Sequence, residues 1–281
     1  MKKISFLATP KLREKDTILN IISFLARRGI SLKLDKNFAK KIGKEELGVS
    51  EERLVDGIDM MISLGGDGTL LRAARLVAER EIPILGINIG GLGFLTEVPL
   101  SEYEKALLSI FEKNYHIEER ITLQCAVLKN GKPSLKFYGL NDVVIHRGGS
   151  SHLLHLQFFV NERYGGSFAA DGIVACTPTG STAYALSTGG PIVSPEVDCF
   201  VINAICPHTL SARPLVISSG KTIKIVETTG SHMGLSIDGQ PTVSLDEKEE
   251  IIVSKGSFNV KFIRIEKNFY QILREKLNWV E

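Results

Sequence analysis

The 281-residue sequence has no run of about 18 apolar residues, which excludes a membrane-spanning helix. It has no block of like charge. Lys and Arg number 34 against 32 Asp and Glu, a formal net charge of +2. An electrostatic footprint for duplex nucleic acid is therefore missing, while a local basic pocket for phosphates stays compatible with the composition. The cysteines Cys125, Cys176, Cys199 and Cys206 contain no CxxC pair, which excludes zinc-knuckle and redox-motif readings. Three of them lie in apolar runs that read as buried strands, so free thiols in a reducing compartment are expected. The opening MKKISFLATP has too short an apolar stretch for a secretory signal and no suitable cleavage site, which points to the cytoplasm. The histidines at 116, 146, 152, 155, 208 and 232 form no zincin pattern, and no GxSxG elbow or other nucleophile–base arrangement offers covalent catalysis. Internal repeats and long linkers are also missing.

What is present is an ordinary globular mix, 43% apolar and 23% charged, long for one core and comfortable for two. The first 115 or so residues alternate between strand and helix periods. Lys3 to Ala8, Ile30 to Leu34, Ile58 to Leu64 and Pro83 to Asn88 read as strands. Leu12 to Arg28, Thr69 to Glu79 and a segment opening at Ser101, with Glu104 as a capping-box partner, read as helices; Gly29 offers a C-terminal cap. That alternation predicts an α/β domain, a parallel sheet covered by helices. From about 118 the texture becomes short apolar runs at 121–128, 134–146, 153–160, 172–176, 199–205, 214–218, 222–227, 249–253 and 259–265, with hairpin signals at Asn130-Gly131 and Asp238-Gly239. The expected organisation is an α/β domain over 1–117, a β-rich, sandwich-like domain over 118–265, and an amphipathic helix over 266–281 returning to the first domain.

The most informative segment is Leu64-Gly65-Gly66-Asp67-Gly68-Thr69-Leu70-Leu71-Arg72. A buried strand runs into three glycines and then a helix. Glycine permits the sharp turn and the close approach of a ligand. The helix N-terminus beyond it offers free N–H groups and a partial positive charge, a ready phosphate site. Thr69 is a good N-cap, which puts Arg72 in the first turn near any phosphate. A carboxylate in such a cradle repels its ligand unless it has a task. Asp67 could take a proton from an attacking hydroxyl or help position Mg²⁺ on phosphate oxygens. A structural reading has Asp67 merely capping the helix. Two look-alikes fail: Ser219-Gly220-Lys221-Thr222 lacks the first P-loop glycine, which is Leu215, and Gly91-Leu92-Gly93 meets Thr96 where a dinucleotide fingerprint needs its third glycine.

A second dense region runs from Asp171 to Pro191. A strand leads into a hydroxyl-rich loop and a short helix. Hydroxyls and free N–H groups suit a nucleotide's ribose, amide or phosphate, and Tyr184 suits a planar base. The structural alternative is a Ser/Thr turn capping its own helix. Asn141-Asp142 interrupts an apolar strand. Successive side chains point to opposite faces, so one of the pair would face a core unless a strand end, bulge or ligand intervenes. Gln240 follows the Asp238-Gly239 turn.

With these residues assembled, the chain resembles the NAD kinases. The resemblance is carried by Gly65 to Thr69, by Asn88 to Thr96 (NIGGLGFLT), by Asn141-Asp142 and by Asp171 to Pro191, and it covers nearly the whole chain. Gly-Gly-Asp-Gly-Thr alone is shared with diacylglycerol and sphingosine kinases; the TPTGSTAY segment is the more specific mark. The resemblance implies transfer of a phosphoryl group from ATP to the 2′-hydroxyl of the adenosine ribose of NAD, with Mg²⁺ expected. It implies Asp67 as general base with Gly68 beside it, and Arg72 on phosphate. It implies Asn141 and Asp142 on the ribose or adenine, Asp171 with Thr182, Ala183, Tyr184, Ala185, Leu186 and Ser187 on the other half of the nucleotide, and Gln240 at a further binding position. A basic residue that the family often carries two positions before the Asp171 motif is Ala169 here, which leaves Arg147 or His152 to supply that contact. A homodimer or homotetramer, assembled through the β domain, is implied as well. A lipid kinase of the diacylglycerol type and a non-catalytic nucleotide-binding regulator are the rival readings. The first would show an apolar access surface, and the second would not need Asp67.

Overall fold

The computed structural model describes residues 1–10, 14–91, 93–148, 152–246, 249–265 and 268–278. By contact the chain divides into two units, Met1–Glu119 with Asn259–Glu281, and Arg120–Phe258.

The first unit opens with β1 (Lys3–Ala8), α1 (Lys15–Ala26), β2 (Ser31–Asp35), α2 (Lys36–Ile42), β3 (Gly48–Val49) and β4 (Met60–Leu64). It continues with α3 (Asp67–Val77), β5 (Ile84–Asn88), β6 (Val98–Pro99) and α4 (Tyr103–Phe111). The strands form a parallel sheet in the order β5-β4-β1-β2-β3, with β6 beside β5. Every residue of β4 and β5 is buried, which explains why both read as continuous apolar runs rather than alternating ones. One cluster joins Ile4, Phe6, Ile62 and Leu85 of the strands to Ile18, Ile21 and Leu25 of α1 and Leu107 and Ile110 of α4. The apolar stripe seen in the sequence of each helix is the face turned to the sheet.

The second unit comprises β7 (His116–Lys129), which enters from the first unit, then β8 (Lys132–Gly139), β9 (Asp142–His146), β10 (Leu154–Val160), β11 (Arg163–Ala170) and β12 (Gly172–Cys176). It goes on through a one-turn helix α5 (Tyr184–Ser187), β13 (Cys199–Ile205), β14 (Leu215–Ser218), β15 (Ile223–Glu227), β16 (Met233–Ile237), β17 (Val243–Leu245) and β18 (Glu250–Arg264). The order β14-β13-β12-β9-β16-β17 makes one antiparallel sheet. Strands β11-β10-β15 and the first part of β18 make a second antiparallel sheet, with β7 beside β18 and β8 beside β7. A shared core holds Leu156, Phe158, Ile225 and Ile251 from the second against Val143, Ile145, Ile173 and Leu235 from the first, the arrangement of a sandwich. The end of β18 pairs with β5 at Phe262 and Ile84, and α6 (Phe269–Leu277) follows it within the first unit, burying Ile272 and Leu273.

Several local expectations are corrected. Helix α3 begins at Asp67 with extended Gly66 as its cap residue, so Thr69 is not the N-cap. Ser101 lies in a 3-10 turn, and α4 starts at Tyr103 with no side-chain cap, so that capping box is not formed. A capping box exists instead at α6, between Asn268 and Gln271. Residues 134–146 form two strands, broken at Leu140-Asn141, while the runs 249–253 and 259–265 are one strand. Strands β11, β16 and β17 and helix α2 were not anticipated. Leu12 and Arg13 of the first expected helix, Leu92 of the Asn88–Thr96 segment, and Glu266, Lys267 and residues 279–281 of the last helix lie outside the described residues. No helix among the described residues is long and apolar enough to cross a membrane.

Candidate active site

In the first unit, β4 ends at Leu64 and the chain turns through Gly65 and Gly66 into α3. The turn is tight: a Cβ on Gly65 would stand 2.3 Å from the Thr69 hydroxyl. This places Asp67 in the first turn of an 11-residue helix, at the carboxyl edge of a parallel sheet, where open α/β folds bind ligands.

The Asp67 carboxylate does not cap its own helix. It reaches across to the loop after β5. Oδ2 accepts the Phe94 N–H at 2.9 Å, and Oδ1 accepts the N–H groups of Leu95 at 3.0 Å and Thr96 at 3.3 Å. The Thr96 hydroxyl stands 3.4 Å from Oδ1. Such proximity requires glycine at 93, where a Cβ would lie 2.1 Å from Oδ1. The loop after β5 is therefore the seat of the Asp67 side chain.

That loop is clamped from behind by charges the sequence reading passed over. Arg264 of β18 donates through Nη1 to the Leu95 carbonyl at 2.9 Å and through Nε to Glu118 at 2.5 Å, and Glu97 lies 3.5 Å from the same Nη1. Glu97 also accepts the Ile265 N–H at 2.6 Å. Arg264 and Glu97 are both buried, 4% exposed each. Burying ions is costly unless they are paired and hydrogen-bonded, so the cluster holds its geometry firmly. The signal in the sequence was a lone charge inside each apolar run, Glu97 in FLTEVPL and Arg264 in FIRI.

Arg72 lies one turn further along α3. Its guanidinium grips Glu51 in a two-pronged ion pair, Nε to Oε1 at 2.9 Å and Nη2 to Oε2. Glu51, by hydrogen bond and charge, holds the Arg72 guanidinium above its ordinary range. Its pairing in this structure is thus a carboxylate on the chain. Gly68 is exposed, with open space where a Cβ would stand.

In the second unit, Asp142 begins β9 and Asn141 sits in the break between β8 and β9. The break has a cause. Asp238, in the left-handed region at φ 49°, accepts the successive N–H groups of Leu140 at 2.8 Å, Asn141 at 2.7 Å and Asp142 at 3.1 Å. Those donors are thereby withdrawn from a sheet ladder. Burial, and then the nearby Asp238 charge, push the Asp142 carboxyl up to about 7. Burial also pushes the neighbouring Cys176 thiol up to about 12. The Asn141 Oδ1 is buried and has no hydrogen-bond partner among the described residues.

The 177–191 loop packs directly on this pair. Thr177 Oγ1 donates to the Leu140 carbonyl at 2.5 Å, and its N–H to the Asn141 carbonyl at 2.9 Å. Gly180 closes on the same peptide; a Cβ there would meet the Asn141 carbonyl oxygen at 2.1 Å. Most of the hydroxyls serve the loop itself: Ser181 donates to Pro178, Thr182 to Thr179 and Thr188 to Ala185. Thr182, Ala183 and Leu186 are half-buried, Ala185 is buried, and Tyr184 and Ser187 are exposed. Asp171 pairs with Arg147 at 3.1 Å, and both are partly exposed. His152 and Gln240 are exposed. Opposite Ala169 across the β10–β11 pair stands His155, a third candidate for the missing basic residue. Within this unit the structure gathers Asn141, Asp142 and the 177–187 segment, and it pairs Arg147 with Asp171.

Among the described residues no three His, Cys, Asp or Glu side chains gather as a metal-binding group. Both Asp67 oxygens already accept peptide N–H groups. The described residues thus form no all-protein cage for Mg²⁺, an ion usually held by one or two carboxylates together with substrate phosphates.

Known proteins share both units. A family profile described as the ATP-NAD kinase N-terminal domain matches residues 17–115, and one described as the ATP-NAD kinase C-terminal domain matches 140–265. The chain is 41% identical over 280 residues to an NAD kinase of Moorella thermoacetica, covering 99% of this chain and 89% of that one. An NAD kinase of Carboxydothermus hydrogenoformans is 45% identical over 222 residues, covering 78% of this chain and 79% of its own. Among solved structures, the yeast NADH kinase complexed with NADH aligns with a TM-score of 0.93 at 27% identity, covering 100% of this chain and 89% of its own. An Archaeoglobus fulgidus NAD kinase in complex with ATP aligns with a TM-score of 0.79 at 26% identity, covering 96% and 97%. The chain belongs to the NAD kinase family.

Proposed function

We propose that the protein transfers the terminal phosphoryl group of ATP to the 2′-hydroxyl of the adenosine ribose of NAD, giving NADP and ADP. The observation that carries this reading is the fixed carboxylate of Asp67 at the N-terminus of α3, held by the peptide N–H groups of residues 94–96. The ribose oxygen bonds to the terminal phosphorus as the bond from phosphorus to the bridging oxygen breaks, and ADP leaves with that electron pair. The hydroxyl proton passes to Asp67. A secondary hydroxyl is far too weak an acid to ionise first, so Asp67 accepts the proton as the new bond forms. The helix N-terminus and the turn glycines offer N–H groups to phosphate. ATP is taken as its complex with a divalent cation, which arrives with the substrate and spreads phosphate charge.

Asn141 and Asp142 are assigned to the nucleoside of NAD, with Tyr184 and Ser187 exposed beside them on the same unit. Arg72 is assigned to phosphate in exchange for Glu51. The free thiols, three of them buried, support a cytoplasmic setting. Assembly into a homodimer or homotetramer through the second unit is supported by Leu215 and Val216, exposed on β14 at the end of its sheet. The test is NADP formation from NAD, ATP and Mg²⁺, followed with an NADP-specific dehydrogenase, with Asp67→Asn run beside the unaltered protein. The variant should lose roughly 10²–10⁴ in kcat and keep NAD binding. No NADP from NAD with ATP or polyphosphate, and no NADPH from NADH, would overturn the assignment.

A further inference from the structure

We propose that Thr96, oriented by Asn88, is a positioning residue for Asp67, and that it fixes Oδ2 as the oxygen that takes the substrate proton. The inference rests on the reading of Asp67 as general base. Its first support is an inequality between the two carboxylate oxygens. Oδ1 faces three donors, the N–H groups of Leu95 and Thr96 and the Thr96 hydroxyl. Oδ2 faces one among the described residues, the Phe94 N–H. A carboxylate oxygen has two lone-pair directions. Oδ1 is filled, while Oδ2 keeps one direction for an incoming proton.

The second support is the direction of the Thr96 proton. The Asn88 amide has one orientation only, because its Oδ1 accepts the Gly90 N–H at 2.7 Å. Its Nδ2 then spends one hydrogen on the Gly91 carbonyl at 2.8 Å and the other on Thr96 Oγ1 at 2.7 Å. Thr96 is thus an acceptor towards Asn88, and its single proton turns to Asp67 Oδ1 at 3.4 Å. That separation is long for a hydroxyl donor, and bonds of this kind tighten when substrate is bound. Thr96 and Asn88 are buried, at 0% and 5% exposure, so water does not compete for either group.

The arrangement suits both states of the base. Before transfer, the donors on Oδ1 hold the carboxylate plane. After transfer to Oδ2, Oδ1 is the carbonyl oxygen of the acid and still accepts the same hydrogen bonds. No donor is stranded on either side of the step, which keeps reorganisation small.

Thr96→Val removes the hydroxyl with little change of shape. The expected result is a fall in kcat of roughly tenfold or more, from loss of aim at the reacting proton, with KM for NAD and ATP within about twofold. Thr96→Ser restores the hydroxyl and should recover kcat to within about threefold of the unaltered protein. Thr96→Ala, which cannot overpack, takes the place of Thr96→Val if that variant does not fold. A Val or Ala variant with undiminished kcat, a KM rise that accounts for the whole loss, or a Ser variant as impaired as Val overturns the positioning role. An unaltered protein that makes no NADP overturns the general-base reading along with it, so the two failures are distinguishable.

Discussion

Gly93→Ala is the sharpest perturbation available in the first unit. The added Cβ would lie 2.1 Å from Asp67 Oδ1, 2.5 Å from Thr96 Oγ1 and 2.8 Å from Asp67 Cγ. Ordinary contact begins near 3.4 Å, so the carboxylate or the loop must retreat by about 1.3 Å. The loop is poorly able to give, because Arg264 holds the Leu95 carbonyl and Glu97 holds the Ile265 N–H. Asp67 is the part that moves. A displacement near 1 Å at a reacting group costs about 10²-fold in rate, while overpacking one methyl costs about 1–3 kcal/mol of stability. The expected variant is folded, binds NAD, and makes NADP roughly a hundredfold more slowly. Gly220→Ala, at an exposed glycine whose Cβ would come no closer than 3.6 Å to Ser218, serves as the matched control. Thermal melting confirms the fold, and single-turnover NADP formation reports the chemical step. A Gly93→Ala protein with kcat within threefold of the control would refute the claim that this loop seats the base.

Two further perturbations concern the second unit. Asp142 is held up to about 7 by burial, against about 3.9 in an unfolded chain, so the fold retains its proton over that interval. The stability it lends is full below pH about 4 and is lost as pH rises through about 7, up to about 4 kcal/mol. Asp142→Asn, which imitates the protonated form, should therefore raise Tm little at pH 4 and clearly at pH 8 in melts without ligand; an equal shift at both would contradict the assignment. Gly180→Ala drives a Cβ to 2.1 Å from the Asn141 carbonyl oxygen and 2.5 Å from its carbon, both backbone atoms. It should cost about 3 kcal/mol in urea unfolding and raise the KM for NAD, and a neutral result would show the peptide free to shift.

The layout of both units was legible because it lies in short-range patterns. Two-residue alternation and the Asn130-Gly131 signal set the β7–β8 hairpin, where both turn residues take positive φ, 53° and 72°. Strand β11 was missed because Gly165 and Gly166 interrupt its apolar pattern; a bulge falls there, and the Phe158 ring lies 2.3 Å from where a Gly165 Cβ would be. The join between the runs 249–253 and 259–265 passes through Gly256, which closes on the Thr122 hydroxyl. At the site, Asp67, Asn141 and Asp142 stood out as polar residues where the pattern wanted apolar or small ones. Their partners did not. Asp67 meets its donors 27 to 29 residues away, and Asp238 serves Leu140, Asn141 and Asp142 from 96 to 98 residues away. No local period encodes such pairings, and Asp238 passed as an ordinary turn residue.

The path of β18 bears on how the protein is made. Synthesis delivers residues 120–258 in one stretch, so the second unit has all its strands once Phe258 clears the ribosome. The first unit has only 119 residues by then, and it lacks the strand that lies beside β5. Arg264, which grips the loop around Asp67, emerges 169 residues after Leu95. The half that carries the base is therefore completed after the second unit. A nascent chain would hold every strand of the β sandwich before it held the arginine that braces the seat of Asp67.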